Sequence, residues 1–262
     1  MALSFLYLLL LSAPADTTIK GIKVEFTFTP SIFPSSWRVA PINARAESMP
    51  RVEIVRTREV ITEALNKYPP PVLKQELSGV YFVRTMRFYD VAYGRTNSEN
   101  AVYISNDGVK MGYTATYIEQ TFHHEFSSIL LRNHPTFLDT TEWKKANTPA
   151  FDYNDPENGV GSIRENQSSQ DLDTLLTQQG FLTQYSISSI ENDINTFAQN
   201  IFCPSPGFWP IVENYPRVKK KVKLLVAFYN QINPIFTEDY FRKLREPRIM
   251  EIIIQRDPAV KK

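Results

Sequence analysis

The segment 115–133 is the strongest constraint on the fold of this chain, because it contains neither Gly nor Pro. Apolar residues recur within it at helical spacing: Ile118, Phe122 and Ile129 are separated by four and seven residues. The segment stops just short of Pro135, and the residue before a proline avoids the helical region. The spacing therefore predicts one long helix with a buried face.

Strand-like segments are concentrated before this helix, and helical segments dominate after it. Alternating, β-branched and aromatic residues indicate the strands, and apolar residues near helical spacing indicate the helices. The predicted strands are 20–29, 79–93 and 101–105, and the other predicted helices are 51–67, 170–179, 188–202, 217–231 and 237–245. This order predicts an α+β domain.

Composition and charge exclude several classes of protein. Lys and Arg total 29 against 28 Asp and Glu, and this balance gives no bulk attraction to nucleic acid or to an anionic membrane. The single cysteine, Cys203, excludes an intrachain disulfide framework and a cysteine-rich metal cluster. A short basic run is expected to be a solvated helix face and not a nucleic-acid site; it comprises Arg217, Lys219, Lys220, Lys221 and Lys223.

Residues 1–15 have the pattern of a secretory signal. Residues 5–13 are apolar but too few to span a bilayer, which takes about 20 residues. The sequence APA that follows matches the small-x-small cleavage pattern, although no Lys or Arg precedes it. A buried strand or helix is the alternative interpretation. The signal interpretation predicts a secreted or cell-envelope protein without a transmembrane span. After the signal segment, we expect a strand and irregular extension over 16–50 and the main domain over 51–262.

All three histidines of the chain, His123, His124 and His134, fall within one short stretch. His124-Glu125 opens an HExxH pattern, in which two histidines one helical turn apart bind zinc and the glutamate activates a water molecule. Ser128 stands where the second histidine is needed, and a hydroxyl is a much poorer zinc ligand. His134 lies about 15 Å further along an unbroken helix, too far to share the ion. A hydrogen-bonded structural histidine is the competing interpretation.

Four blocks of sequence together resemble a known family. They are FHHEFSSILL at 122–131, GFLTQYSISSIENDINTFAQNIF at 180–202, FW at 208–209 and FYNQINPIFTEDYF at 228–241. The combination resembles the zinc-binding metallopeptidases of Bacteroidetes cell envelopes, a gluzincin-like family whose genes accompany outer-membrane nutrient-import systems. Here the HExxH motif of that family is degenerate.

The resemblance covers about residues 50–245 and implies a zincin-like domain over 51–262. Such a domain has a small mixed sheet, then the active-site helix, then a helical C-terminal half. An edge strand before the active-site helix binds the substrate by strand addition, and residues 101–105 are placed to serve as that strand.

Carried over position by position, the resemblance makes His124 the first zinc ligand and Glu125 the general base. Ser128 takes the position of the second ligand. Tyr185 matches the tyrosine of a GFxxxYA block and would donate to the oxyanion of a bound carbonyl. His123 is a weaker candidate ligand, because it is rotated by about 100° from its neighbour around the helix.

An acidic third zinc ligand is also expected from the resemblance. The EDFAE-like block of the family aligns its ligand with Asn192, a neutral residue flanked by Glu191 and Asp193. A shift of one residue would place Glu191 at the metal. Asp193 is the other candidate for the acidic ligand, or else a hydrogen-bond partner for His124. The structural alternative is that acidic residues in the first turn of a helix simply favour the helix dipole.

Three functions are compatible with these residues. The first is a zinc-dependent metallopeptidase with an altered ligand set, HExxS in place of HExxH, acting on a peptide or protein. The second is a catalytically inactive zincin-like binding or scaffold protein of an envelope import system, in which His123, His124 and Glu125 form a buried polar network. The third is a different hydrolase with Ser127 or Ser128 as nucleophile, although a serine within a helix lacks the strained turn that exposes a nucleophile.

Overall fold

The computed structural model describes residues 16–153, 161–162 and 169–245, and the predicted signal segment 1–15 lies outside these ranges. The described chain is mixed α+β, with one small mixed sheet and a larger set of helices. The strands are β1 Thr17–Ile19, β2 Ile22–Glu25, β3 Arg45–Ser48, β4 Gly79–Phe88, β5 Val91–Tyr93, β6 Arg95–Asn97 and β7 Ala101–Ser105.

The described helices are α1 Ile54–Asn66, α2 Pro70–Glu76, α3 Ala115–Asn133, α4 Thr140–Lys145, α5 Thr174–Gln179, α6 Ile190–Phe202, α7 Phe208–Asn214, α8 Pro216–Ile232 and α9 Glu238–Lys243. Most of them match the predicted helices to within a few residues. Among these described helices, none is long and apolar enough to cross a membrane.

Strand β4 organises the sheet. It pairs in parallel with β2 and β7 and antiparallel with β3 and β5, and β6 pairs antiparallel with β7. Among the described strands, the order β1-β2-β4-β7-β6 makes β6 the last strand on its side. The prediction that 101–105 forms the edge is therefore wrong: β7 lies between two strands, and all of its residues are buried.

The predicted strand 20–29 begins inside the turn of a hairpin. Strands β1 and β2 pair antiparallel around Lys20 and Gly21, whose φ angles are 52° and 83°. A two-residue turn with two positive φ angles matches the twist of the strands, and glycine adopts such an angle without strain. The predicted alternation of apolar and polar residues is confirmed in β2, where Ile22 and Val24 are buried and their neighbours are not.

The long predicted helix is confirmed as α3. The Thr114 side chain accepts a hydrogen bond from the backbone N–H of Tyr117 at 3.1 Å and caps the first turn. At the C-terminal end of α3, Glu76 of α2 accepts a hydrogen bond from Asn133 Nδ2 at 2.7 Å and pairs with His134 Nε2 at 3.0 Å. Both ends of α3 are thus held by side chains.

Two apolar clusters lie on opposite faces of the sheet. Alternate residues of β7 divide between them: Val102 and Ile104 belong to the main core, and Tyr103 belongs to the second cluster. The main core also contains the apolar face of α3, which packs against α6. Phe33 and Trp37, from the irregular chain before β3, pack on the second cluster. Residues 16–50 therefore complete the sheet and cover one of its faces.

Candidate functional site

Helices α3 and α6 lie side by side and bring several predicted site residues close to β6. His124 is in the middle of α3 and is almost completely buried. Its Nδ1 lies 2.9 Å from Gln199 Oε1 on α6, and the side chain of Asn192 is a second hydrogen-bond partner. Burial, together with the positive charge of Arg95, lowers the pKa of His124 well below its usual value, so the ring is neutral at pH 7.

Glu125 points toward β6, where two side chains of that strand hold its carboxylate. Asn97 Nδ2 donates to Oε2 at 2.7 Å, and Arg95 Nε lies 3.3 Å from Oε1. Burial raises the pKa of Glu125 to about 6, although the Arg95 charge and the Asn97 hydrogen bond act in the opposite direction. A general base must be within hydrogen-bond reach of the proton it takes, and both oxygens of this carboxylate already face partners.

Tyr185 begins a short 3-10 turn that precedes α6. Its ring centroid lies 6.1 Å from that of His124. The guanidinium carbon of Arg95 lies 5.3 Å from the same ring centroid, and a hydrogen bond joins the Arg95 and Tyr185 side chains. Arg95 therefore contacts both Tyr185 and Glu125.

Sequence reasoning did not find Arg95 or Asn97. The sequence pattern that could have indicated them is weak: they are two polar residues at alternate positions of a short strand and therefore share one face of it. Only the pairing of β6 with β7 places that face beside α3.

The positions expected to complete a zinc site carry neutral groups. Ser128 Oγ accepts a hydrogen bond from Asn195 Nδ2 at 2.7 Å, which joins α3 to α6. Asn192 Nδ2 donates to Ser188 Oγ at 3.0 Å, in addition to its contact with His124. Both Ser128 and Asn192 are buried. These two positions therefore contribute hydrogen bonds between neutral groups.

Asp193 lies in a second buried cluster and not beside His124. Lys221 Nζ lies 2.6 Å from Asp193 Oδ2, and Trp143 Nε1 and the Tyr153 hydroxyl donate to the same oxygen. Burial raises the pKa of Asp193 and lowers that of Lys221. The expectation that Lys221 lies on a solvated helix face is wrong, because its side chain is fully buried and makes an ion pair.

His123 takes part in a third buried group, between α3 and the end of α1. Its Nδ1 lies 2.9 Å from the Tyr68 hydroxyl, and its Nε2 lies 3.3 Å from Glu119 Oε1. Lys67 pairs with the same carboxylate. Burial lowers the pKa of His123 to about 4 despite the neighbouring Glu119. Both ring nitrogens thus have partners outside the candidate site.

Glu191 lies half-buried in the first turn of α6. Burial raises the pKa values of Glu125 and Tyr185, and the negative charge of Glu191 adds to both rises, so its carboxylate is near them. The structure brings together His124, Glu125, Tyr185, Ser128, Glu191 and Asn192 around the facing sides of α3 and α6. It places His123 and Asp193 elsewhere.

The donor set around His124 does not fit a zinc ion. Protein zinc sites use thiolate, imidazole and carboxylate groups, whereas His124 here hydrogen-bonds two neutral amides. Within the ranges that the structure describes, no three His, Cys, Asp or Glu side chains are grouped so that they would hold a metal ion. What the arrangement offers is hydrogen bonding, from neutral side chains, the Glu125 carboxylate and the guanidinium of Arg95, which belongs to β6.

No protein-family model matches the chain, and no curated protein matches it significantly. Among solved structures, the chain is similar to the crystal structure of a putative zinc-binding metallo-peptidase from Bacteroides caccae. The sequence identity is 15%, the TM-score is 0.49, and the match covers 72% of this chain and 74% of the other. A likeness of this size does not assign the chain to a family.

Proposed function

We propose that this chain is a catalytically inactive, zincin-like protein that binds extended peptides and does not cleave them. One observation carries the proposal: the positions that would complete a zinc site hold neutral groups that are committed to hydrogen bonds. Ser128 and Asn192 stand where the resembled family has an imidazole and a carboxylate, and their partners are Asn195 and Ser188. A buried polar network is viable when its members are hydrogen-bonded, and these side chains have partners.

Strand β6 is the surface at which a peptide would bind. The backbone N–H of Ser105 donates to Gly94 O at 2.9 Å, so the main-chain N–H and C=O groups of Gly94 point toward β7. The main-chain groups of every second residue after Gly94 point the same way. In an antiparallel ladder, the residues between them turn their N–H and C=O groups the other way. The backbone groups of Arg95 and Asn97 therefore point away from β7, where the described chain has no further strand.

An extended peptide is the ligand that fits such an edge, because main-chain hydrogen bonds supply the affinity when a strand is added. The three residues of β6 are half-buried. The side chains of Arg95 and Asn97 contact Glu125, and Arg95 also contacts Tyr185, so the edge borders the candidate site. The cell-envelope location and the import-system partners remain predictions. A peptide segment of such a partner would be a ligand of this class.

The test measures binding of a fluorescein-labelled, positional hexapeptide library by fluorescence polarisation. A control library carries an N-methyl group at every residue, which removes the main-chain N–H groups that strand addition uses in either register. We expect the unmodified library to bind at least about tenfold more tightly than the methylated one. Equal binding of the two libraries would contradict strand addition.

Two variants at one position separate the backbone from the side chain. Asn97→Ala and Asn97→Pro both remove the amide side chain, but only proline removes the outward N–H, and proline is tolerated on edge strands. We expect Asn97→Pro to bind clearly more weakly than Asn97→Ala. Mass spectrometry of the library after incubation with protein and zinc tests the competing function. Zinc-dependent cleavage that Glu125→Gln abolishes would replace this proposal by a metallopeptidase.

A further inference from the structure

The Arg95 side chain lies among three residues of the candidate site. Its Nε is 3.3 Å from Glu125 Oε1, its guanidinium carbon is 5.3 Å from the ring centroid of Tyr185, and its charge acts on His124. These three neighbours are the residues predicted to be a general base, an oxyanion donor and a metal ligand. A permanent positive charge of the chain itself therefore stands among them.

The Arg95 guanidinium retains donors for a ligand. A guanidinium carries five N–H groups in one plane. Among the described residues, the partners of these groups are Glu125 and Tyr185. The side chain is 14% exposed, so it is reachable from solvent.

We propose that Arg95 is the ligand-binding cation of this site and donates to an oxygen of a peptide that lies along β6. The inference rests on the proposed function and adds the chemistry of the contact. The acceptor is an oxygen atom of the peptide, either a main-chain carbonyl or the C-terminal carboxylate. Hydrogen bonds from an ionised donor are roughly twice as strong as neutral ones.

The placement of Arg95 favours this role in two ways. Its backbone belongs to the outward-facing residues of β6, so a peptide added to this strand passes close to its side chain. Glu125 is its counterion and is itself held by Asn97 at 2.7 Å, which fixes the direction of the guanidinium. One strand would then contact the peptide through main-chain groups and through a side-chain donor.

The test repeats the polarisation measurement with the labelled hexapeptide library on Arg95 variants. We expect Arg95→Met to weaken binding by about tenfold to a hundredfold, and Arg95→Lys, which keeps the charge but loses the planar fork, to weaken it less. Arg84→Met is the matched control, because Arg84 is a half-exposed residue of β4 and pairs with Asp107, which lies in the loop after β7. We expect it to bind like the unmodified protein.

The library is prepared with free and with amidated C termini to identify the acceptor. If a terminal carboxylate is the acceptor, the free form binds more tightly than the amide, and Arg95→Met removes the difference. If a main-chain carbonyl is the acceptor, both forms bind alike, and Arg95→Met weakens both. Either result supports the proposal.

Arg95→Met leaves Glu125 without its ion pair, so a second variant guards against a folding artefact. Arg95→Met/Glu125→Gln removes both charges and preserves an acceptor for Asn97; the melting temperature of each variant is recorded. The inference is overturned if either folded variant binds like the unmodified protein while Asn97→Pro does not, and the proposed function then stands. If the unmodified protein binds neither library, both are overturned.

Discussion

Single residues decide the character of both polar clusters beside α6. On one side of the helix, Asn192 and Gln199 give His124 neutral partners; on the other, Asp193 meets Lys221 inside the core. An isolated charge buried in this way costs several kcal/mol, and a partner offsets that cost. The helix therefore carries a neutral cluster and an ionic one at successive positions.

Lys221→Met tests the ionic cluster. The substitution leaves the Asp193 carboxylate buried without its cation, and we expect the free energy of unfolding to fall by about 3–5 kcal/mol in urea titrations. Lys220→Met is the control one position earlier, because Lys220 is 42% exposed and pairs with Glu142 at the surface. It should cost less than about 1 kcal/mol. Equal effects of the two variants would show that the buried pair is not a stabilising contact.

Ser128→Ala tests the neutral cluster. It leaves Asn195 Nδ2 without its acceptor, and we expect a loss of about 1–3 kcal/mol of unfolding free energy by the same titration. Thr121→Val is a suitable control on the same helix, because the buried Thr121 Oγ1 has no hydrogen-bond partner within the described residues. If the control costs as much as Ser128→Ala, the hydrogen bond to α6 is not the cause.

At the scale of single residues, the sequence was sufficient to predict those site residues that are neighbours within one motif. His124 and Glu125 could be found because the HExxH spacing is local, and both lie in the candidate site. Arg95 could not be found, since it reaches Glu125 only through the pairing of β6 with a strand that follows it. Lys221 was misjudged because its buried partner comes from another helix.

At the scale of elements, most of the helices could be predicted and the sheet order could not; the short helices α2, α4 and α7 were not predicted. The limits of α3 follow from its own residues: a capping threonine before it and a proline after it. Strand order depends on which distant segments pair, and the period of a single strand does not contain that information. Residues 101–105 were correctly expected to form a strand, but their position in the sheet depends on β4 and β6.

Thr114→Ala tests the start of α3. It removes the side-chain acceptor of the Tyr117 N–H, and we expect a loss of about 1 kcal/mol in the free energy of unfolding. Thr114→Ser keeps the acceptor and should cost only a few tenths of a kcal/mol. Chemical denaturation of both variants gives the comparison. A full-size loss in Thr114→Ser would point to the lost methyl group instead of the cap.

At the scale of the whole molecule, the sheet joins the two parts of the chain that the sequence separated at residue 50. β2 and β3 both pair with β4, and Phe33 and Trp37 cover the second apolar cluster. The irregular extension could be anticipated from its prolines, but its contribution to the sheet could not, because the partner strand comes later in the chain.

A shortened chain tests this arrangement. A protein that begins at Arg51 lacks β1 to β3 and exposes one face of the sheet, and we expect it to show no cooperative urea transition and to bind a hydrophobic dye. A protein that begins at Asp16 keeps the whole described sheet and should unfold cooperatively. Cooperative unfolding of the shorter protein would instead support an independent domain over 51–262.

Metal dependence is a second test at this scale. A ligand that binds only the folded state raises the melting temperature according to its concentration relative to its Kd. Because the donors around His124 are neutral and engaged, we expect less than about 1 °C of change with equimolar zinc or with excess EDTA, measured by calorimetry. A rise of several degrees with zinc, lost in His124→Ala, would contradict this account.

The shortness of β6 has a consequence for behaviour at high concentration. An exposed strand edge invites pairing between molecules, and proteins limit this with short strands and inward-pointing charged side chains. β6 has both features: three residues, and an arginine turned inward onto Glu125. Self-association through this edge is therefore disfavoured, so that an edge open to a specific peptide need not seed aggregation.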